Sequence, residues 1–231
     1  MPNDLVIAID GPSASGKSTV SHLVARRLGV VYVDSGALYR GLTWKFLRED
    51  VDPSQADRVL AVLTMSQWEF FVSGGTVHFL VDGEDPWEQL RSAEVREKVA
   101  DVAAIPEVRQ FVCNHLRGLR RFGSLVMEGR DIGSVVFPES AFKYYLDADP
   151  EERARRRYRE VAGREEDVRF EEIKESLLQR DQKDSTRPTA PLQIPLGAKV
   201  INTTGMSVEQ VVDLIVRDVR SRIGSKQFSG Q

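Results

Sequence analysis

Residues 5–9, LVIAI, run straight into DGPSASGKSTV, and this junction restricts the fold more tightly than any other stretch of the chain. Gly11, Pro12, Ser13, Ala14, Ser15, Gly16, Lys17 and Ser18 fit the pattern G-x-x-x-x-G-K-[ST]. Its glycines let backbone N–H groups converge on phosphate oxygens at a helix N-terminus, while the lysine reaches the terminal phosphates. Such a loop needs a strand to deliver it and a helix to leave it. The apolar run supplies the strand and the periodicity of 17–28 the helix. The residues from Gly11 to Thr19 are therefore expected to hold a nucleoside triphosphate, with Ser18 the magnesium ligand. The motif is silent on where the phosphate goes: to water, to a protein switch, or to a second small molecule.

Alternation of short apolar runs and helical stretches continues with VVYV as a strand and 36–48 as a helix. SLVME (124–128), FKYYLDA (142–148) and KVINT (199–203) are further strand candidates. Together they predict an α/β fold with a five-stranded parallel sheet. The last helix is announced by Ser207 and Gln210, a capping-box pair ahead of VVDLIVRDV. Two segments break the rhythm. WEFFVSGGTVHFLVD (68–82) reads as a hairpin around Gly74-Gly75, and EERARRRYRE carries five arginines between 153 and 159, opened by Asp149-Pro150. The expected organisation is a core of 1–62, 100–150 and 168–231, a small β-rich insertion at 63–99, and a basic helical lid at 151–167.

Composition narrows the partners. With 32 basic and 35 acidic residues the formal charge is −3, so no global field draws in nucleic acid or an anionic membrane, and any anion site must be local. A single cysteine, Cys113, excludes an internal disulfide and a cysteine-based zinc cluster, and it reads as a small buried hydrophobe. MPNDLVIAID lacks the basic and long apolar regions of a signal peptide, and no apolar run is of membrane-spanning length. The expectation is a cytoplasmic monomer with small-molecule substrates.

Local charge gathers at strand ends. In an open parallel sheet the loops at the carboxyl ends line the ligand crevice. DSGALYR places Ser35 and Arg40 there after the second strand, and EGRDIG places Arg130 and Asp131 there after the third. Farther on, Arg180 and Asp184 stand four apart on one predicted helix, with Arg187 just past its end. Each of these has a plain alternative: Ser35 as a helix N-cap, Arg130-Asp131 as a surface ion pair, Arg180/Asp184 as an i,i+4 helix pair. With Arg109 added, Arg40, Arg130, Arg180 and Arg187 bring more cations than one triphosphate needs, which points to donor and acceptor phosphates meeting in one cleft.

DGPSASGKST, DSGALYR, DGED, IPEVR, EGRDIGSVVFP, LDADPEERARRR, QRDQKDSTRPTAPL and VINTTGMSVEQVV, in this order, resemble bacterial cytidylate kinases over roughly residues 4–220. The resemblance implies ATP- and Mg2+-dependent phosphorylation of CMP or dCMP on a P-loop nucleoside-monophosphate-kinase fold. It matches Ser35, Arg40, Arg109, Arg130, Asp131, Arg180, Asp184 and Arg187 to the acceptor site, with Arg180 and Asp184 at the phosphate or sugar and Arg109 and Asp131 at cytosine. It also implies that Lys17, Arg130, Arg180 and the lid residues Arg156 and Arg157 stabilise the transferring group. Two positions depart from the family pattern: Ala100 stands where a base-contacting serine is common, and Glu128 where an aspartate is. Loss of a hydroxyl at 100 predicts weaker discrimination against UMP. A P-loop kinase of another small acceptor, and a nucleotide-driven switch or motor working on a protein, are the competing readings.

Overall fold

A computed structural model describes residues 5–162 and 169–228. The apolar runs form a sheet in which β1 (Val6–Asp10) lies between β5 (Leu125–Gly129) and β6 (Phe142–Asp147). β2 (Val31–Asp34) pairs with the far side of β5, and β7 (Lys199–Asn202) with the far side of β6. All of these pairings are parallel, as the strand-and-helix alternation requires. The expected five strands are present, but the sheet has seven. The hairpin of β3 (Trp68–Ser73) and β4 (Thr76–Val81) joins it beyond β2, giving the order β3-β4-β2-β5-β1-β6-β7. Gly74 and Gly75, at φ 57° and 77°, make the tight turn that only residues tolerant of positive φ allow. The turn brings the Gly75 carbonyl to the Tyr32 N–H at 2.9 Å, so the hairpin extends the sheet edge instead of folding apart from it.

Helices cover both faces. Helix α1 (Lys17–Leu28) and helix α8 (Val208–Phe228) pack with Ile7, Ile9, Val126 and Leu146. Helices α2 (Ser35–Arg48), α3 (Ala56–Met65), α4 (Ala93–Val102) and α5 (Pro106–Gly118) pack with Val6, Ala8, Leu125 and Met127. Successive side chains of β1 thus enter opposite cores, which is why that strand reads as an unbroken apolar run. Phe79 and Val81 of the hairpin belong to the second of these cores, beside Leu38 and Leu42 of α2. The lid reading corresponds to α6 (Pro150–Val161), capped by Asp149, whose side chain accepts the Glu151 N–H. It leads on to α7 (Phe170–Thr186). Positions 163–167 of that reading lie outside the described residues. The Ser207–Gln210 capping box closes in both directions, at 2.8 and 3.2 Å.

Gly41 sets how closely the hairpin approaches α2. A Cβ there would lie 2.8–2.9 Å from the Phe79 ring and 2.9 Å from Trp68. Overpacking of this kind costs about 1–3 kcal/mol. Gly41→Ala is therefore expected to lower the unfolding free energy by that amount, read as a lower urea midpoint, and an unchanged midpoint in chemical denaturation would contradict the packing described.

Candidate active site

The registers of β2, β5 and β1 bring three loops to one edge: Asp34 stands beside Glu128, and Asp10 beside Gly129. The phosphate loop leaves β1, the Ser35–Arg40 turn leaves β2, and the Arg130–Asp131 loop leaves β5. Asp10, fully buried, pins the last of these by accepting the Ile132 and Gly133 N–H groups at 2.8 and 2.7 Å. Burial pushes its carboxyl up to about 7 in spite of both donors.

In the phosphate loop Ala14 and Gly16 have φ of 57° and 91°, and α1 begins at Lys17. Lys17 is buried and its Nζ donates to the Pro12 carbonyl at 2.5 Å and to Ser15 Oγ at 3.3 Å. Burial, then the Arg130 charge, lower its ammonium to about 7 against the pull of Glu128 and Asp10. Ser18 and Thr19 are exposed on the first turn of α1. The Ser18 side chain lies close to Glu128, which accepts from Tyr32 Oη at 2.8 Å. Burial and then Asp34 raise the Glu128 carboxyl.

The arginines do converge, with partners other than those their sequence neighbours suggest. Arg130 and Asp131 are not paired with each other: Arg130 Nε donates to Asp184 Oδ2 at 2.9 Å, and Asp131 pairs with the buried Arg109. Asp184 meets Arg130 and, at 3.4 Å, Arg187, not the Arg180 one turn before it. The α2 N-cap is Asp34, which accepts the Ala37 N–H at 3.1 Å and pairs with Arg40 at 2.6 Å. Burial alone would raise the Asp34 carboxyl, but Arg40 and the Ala37 N–H hold it below its ordinary value. Ser35 is thereby left unneeded as a cap and lies buried over Gly129, where a Cβ would come within 2.6 Å of its Oγ. Arg180 forms no ion pair among the described residues. Burial, then the Arg130 charge, lower its guanidinium to about 10, with Arg40 and Arg157 adding to the repulsion. Among the described residues, the arginine nitrogens buried without a partner are Arg40 Nε, Arg109 Nε, Arg180 Nε and Arg187 Nη2.

The arginines of α6 divide. Arg156 lies over the phosphate loop, its Nη1 3.4 Å from the Ser15 carbonyl and its Nη2 2.8 Å from that of Thr203. Arg157 pairs with Glu160 at 3.0 Å and lies within electrostatic reach of Arg180. Arg153 is buried between α6 and the phosphate loop, paired with Asp181. Asp34 and Asp181 escaped the sequence reading. An aspartate directly before a predicted helix is an N-cap signal that could have found Asp34. Asp181 adjoins Arg180 with no local pattern to mark it, because its partners lie 28 and 168 residues away.

Comparison with known proteins agrees with this geometry. Residues 7–221 match the family model for cytidylate kinase. A cytidylate kinase of Caldanaerobacter subterraneus is 42% identical over 93% of this chain and 94% of its own. One of Geobacillus is 41% identical over 97% of this chain and 100% of its own. In fold alone, the chain is similar to the crystal structure of an uncharacterised protein from Eubacterium ventriosum, at a TM-score of 0.54 and 11% identity, covering 94% of this chain and 99% of that one. A cleft edged by a phosphate loop and five convergent arginines, on a chain aligned end to end with these relatives, places it in one family. The chain belongs to the cytidylate kinases.

Proposed function

We propose that the chain moves the terminal phosphoryl group of ATP onto the phosphate of CMP or dCMP, giving CDP or dCDP, at the arginine cluster between the phosphate loop and α7. The observation that carries the assignment of this site is Arg180, half-buried, its buried Nε without a partner and its guanidinium in no ion pair among the described residues, beside the like charge of Arg130. Such a group is costly unless an anion arrives. The unpartnered N–H groups of Arg40, Arg109 and Arg187 reinforce the point. Two phosphates facing each other supply the missing negative charge.

Lys17 and the N–H groups of the phosphate loop other than that of Ser13, which Asp181 takes, hold the donor phosphates, and Arg156 closes over the loop. Arg40, Arg130, Arg180 and Arg187 hold the acceptor phosphate, while Asp184 and Ser35 orient the nucleotide. Asp131, steered by Arg109, accepts from the N4 amino group of cytosine, a donor that uracil lacks. The nucleophile is an ionised phosphate oxygen, so no general base is needed and the barrier is lowered by alignment and charge. Arg130, Arg180 and Arg157 stand where charge grows on the moving group. Ser18 and Glu128, which lie close together, form an oxygen-only donor pair that suits a hard cation: Ser18 would hold Mg2+ directly and Glu128 would order its water. The ion would supply neutralisation of charge on the donor phosphate oxygens. The chain works as a monomer.

The direct test is ADP formation from ATP with CMP, dCMP, UMP or AMP as acceptor. CMP and dCMP should give the highest kcat/KM, UMP a lower one owing to Asp131, and ADP release independent of every acceptor would overturn the assignment. Arg180→Met should leave the ligand-free protein at least as stable in thermal melts, because it removes a half-buried charge that has no ion pair and is repelled by Arg130, yet lower kcat/KM by about 10²–10³-fold. A destabilised variant with near-normal kcat/KM would show that Arg180 is structural. Lys17, lowered to about 7 in the free site, gains a proton when triphosphate charge surrounds it, so ATP binding at pH 8 should take up protons and weaken as pH rises. Calorimetric titrations in buffers of different ionisation enthalpy read this uptake, which should vanish in Lys17→Arg. Buffer-independent heats from the native protein would refute it.

A further inference from the structure

Ser13 is a small residue with an unusual number of masters. Its N–H donates to Asp181 Oδ1 at 3.1 Å, its carbonyl accepts from Arg153 Nη1 at 3.2 Å, and its hydroxyl accepts from Arg130 Nη2 at 3.0 Å. The same Arg153 Nη1 also bonds Asp181 Oδ2, which closes the ring of contacts. Ser13 and Arg153 are buried, so these bonds form away from bulk water, where electrostatic interactions are strongest.

Anion binding by the loop does not account for the arrangement. A phosphate loop works by offering its N–H groups to an anion, whereas here the chain spends one of them on its own carboxylate. What the contact achieves is attachment. Ser13 is tied to α7 by two routes, directly through Asp181 and indirectly through Arg130, whose Nε holds Asp184. Asp181 follows Arg180 and precedes Asp184 by three residues, so a single turn of α7 carries the grip on the phosphate loop and two groups of the arginine cluster. Any shift of α7 or of Arg130 that accompanies acceptor binding must be felt at Ser13.

We propose that Asp181 and Ser13 are positioning residues that couple the two nucleotide sites: acceptor nucleotide bound at the arginine cluster sets the phosphate loop for the donor, and the donor does the same for the acceptor. The proposal rests on the assignment of donor and acceptor sites given above. Reciprocity is required by linkage, since each ligand must change the other's affinity by one common factor. A merely structural strut behaves differently. Its loss shifts stability or both dissociation constants and leaves their dependence on each other untouched.

The experiment measures the Kd of ADP by titration calorimetry with and without saturating CMP, and that of CMP with and without ADP. ADP fills the phosphate loop without the terminal phosphate that would meet CMP head on. The native protein should bind ADP about fivefold or more tightly when CMP is present, a coupling in the usual range. In Asp181→Asn and in Ser13→Ala this ratio should fall toward one, whatever the separate Kd values become. Ser13→Ala keeps both backbone bonds and loses only the link to Arg130, so it carries the test should Asp181→Asn prove unfolded in thermal melts. A native ratio of one, or a native-like ratio retained in folded variants, overturns the coupling while leaving the site assignment standing. Failure of the native protein to bind either nucleotide overturns the assignment itself.

Discussion

Arginine side chains drawn into one cleft repel one another, and the way this chain manages that repulsion organises the rest of the site. Asp131 neutralises Arg109, Asp34 neutralises Arg40, and Asp184 is shared between Arg130 and Arg187. Arg180 is left over. That leftover charge carries the proposed acceptor site: an uncompensated cation beside Arg130 is complementary to phosphate.

The sheet makes this possible by putting residues far apart in sequence at neighbouring strand ends. Because β1, β2 and β5 are adjacent and parallel, their loops emerge on the same edge, and a phosphate loop is brought beside Ser35 and Arg130 without any long-range pairing of side chains being needed first. Small residues then permit the close approach. Gly129 allows Ser35 to lie across the end of β5, and Asp10 fixes the following loop from beneath. Helix α7 supplies Arg180 and Asp184, so the arginine cluster draws on two structural layers that meet only in the folded molecule.

Electrostatics within the cleft also set the proton inventory. Lys17 and Glu128 both lie buried beside other charges, which shifts the ammonium down and the carboxyl up. Neither needs to exchange protons with substrate for the reaction to proceed. Their shifts record instead how far burial and neighbouring charge disfavour the ionised form of each. Glu128 is steadied by Tyr32 from the neighbouring strand.

Local patterns decided much of this protein. The phosphate loop, the five parallel strands, the two-glycine hairpin and the Ser207 capping box were legible because each depends on residues within a few positions of one another, where periodicity and backbone tolerance act directly. So was the location of Ser35, Arg130 and Asp131, since parallel strands put their following loops on one edge. Pairing was not legible. Arg130 and Asp131 are neighbours with different partners, the Arg180/Asp184 pair on one helix face is not an ion pair, and the hairpin joins the main sheet, all because the free energy of a charge or a strand edge depends on what packs against it from elsewhere in the chain. Asp181 marks the limit: its partners come from α6 and the phosphate loop, and only the folded arrangement of three elements gives that carboxylate a task.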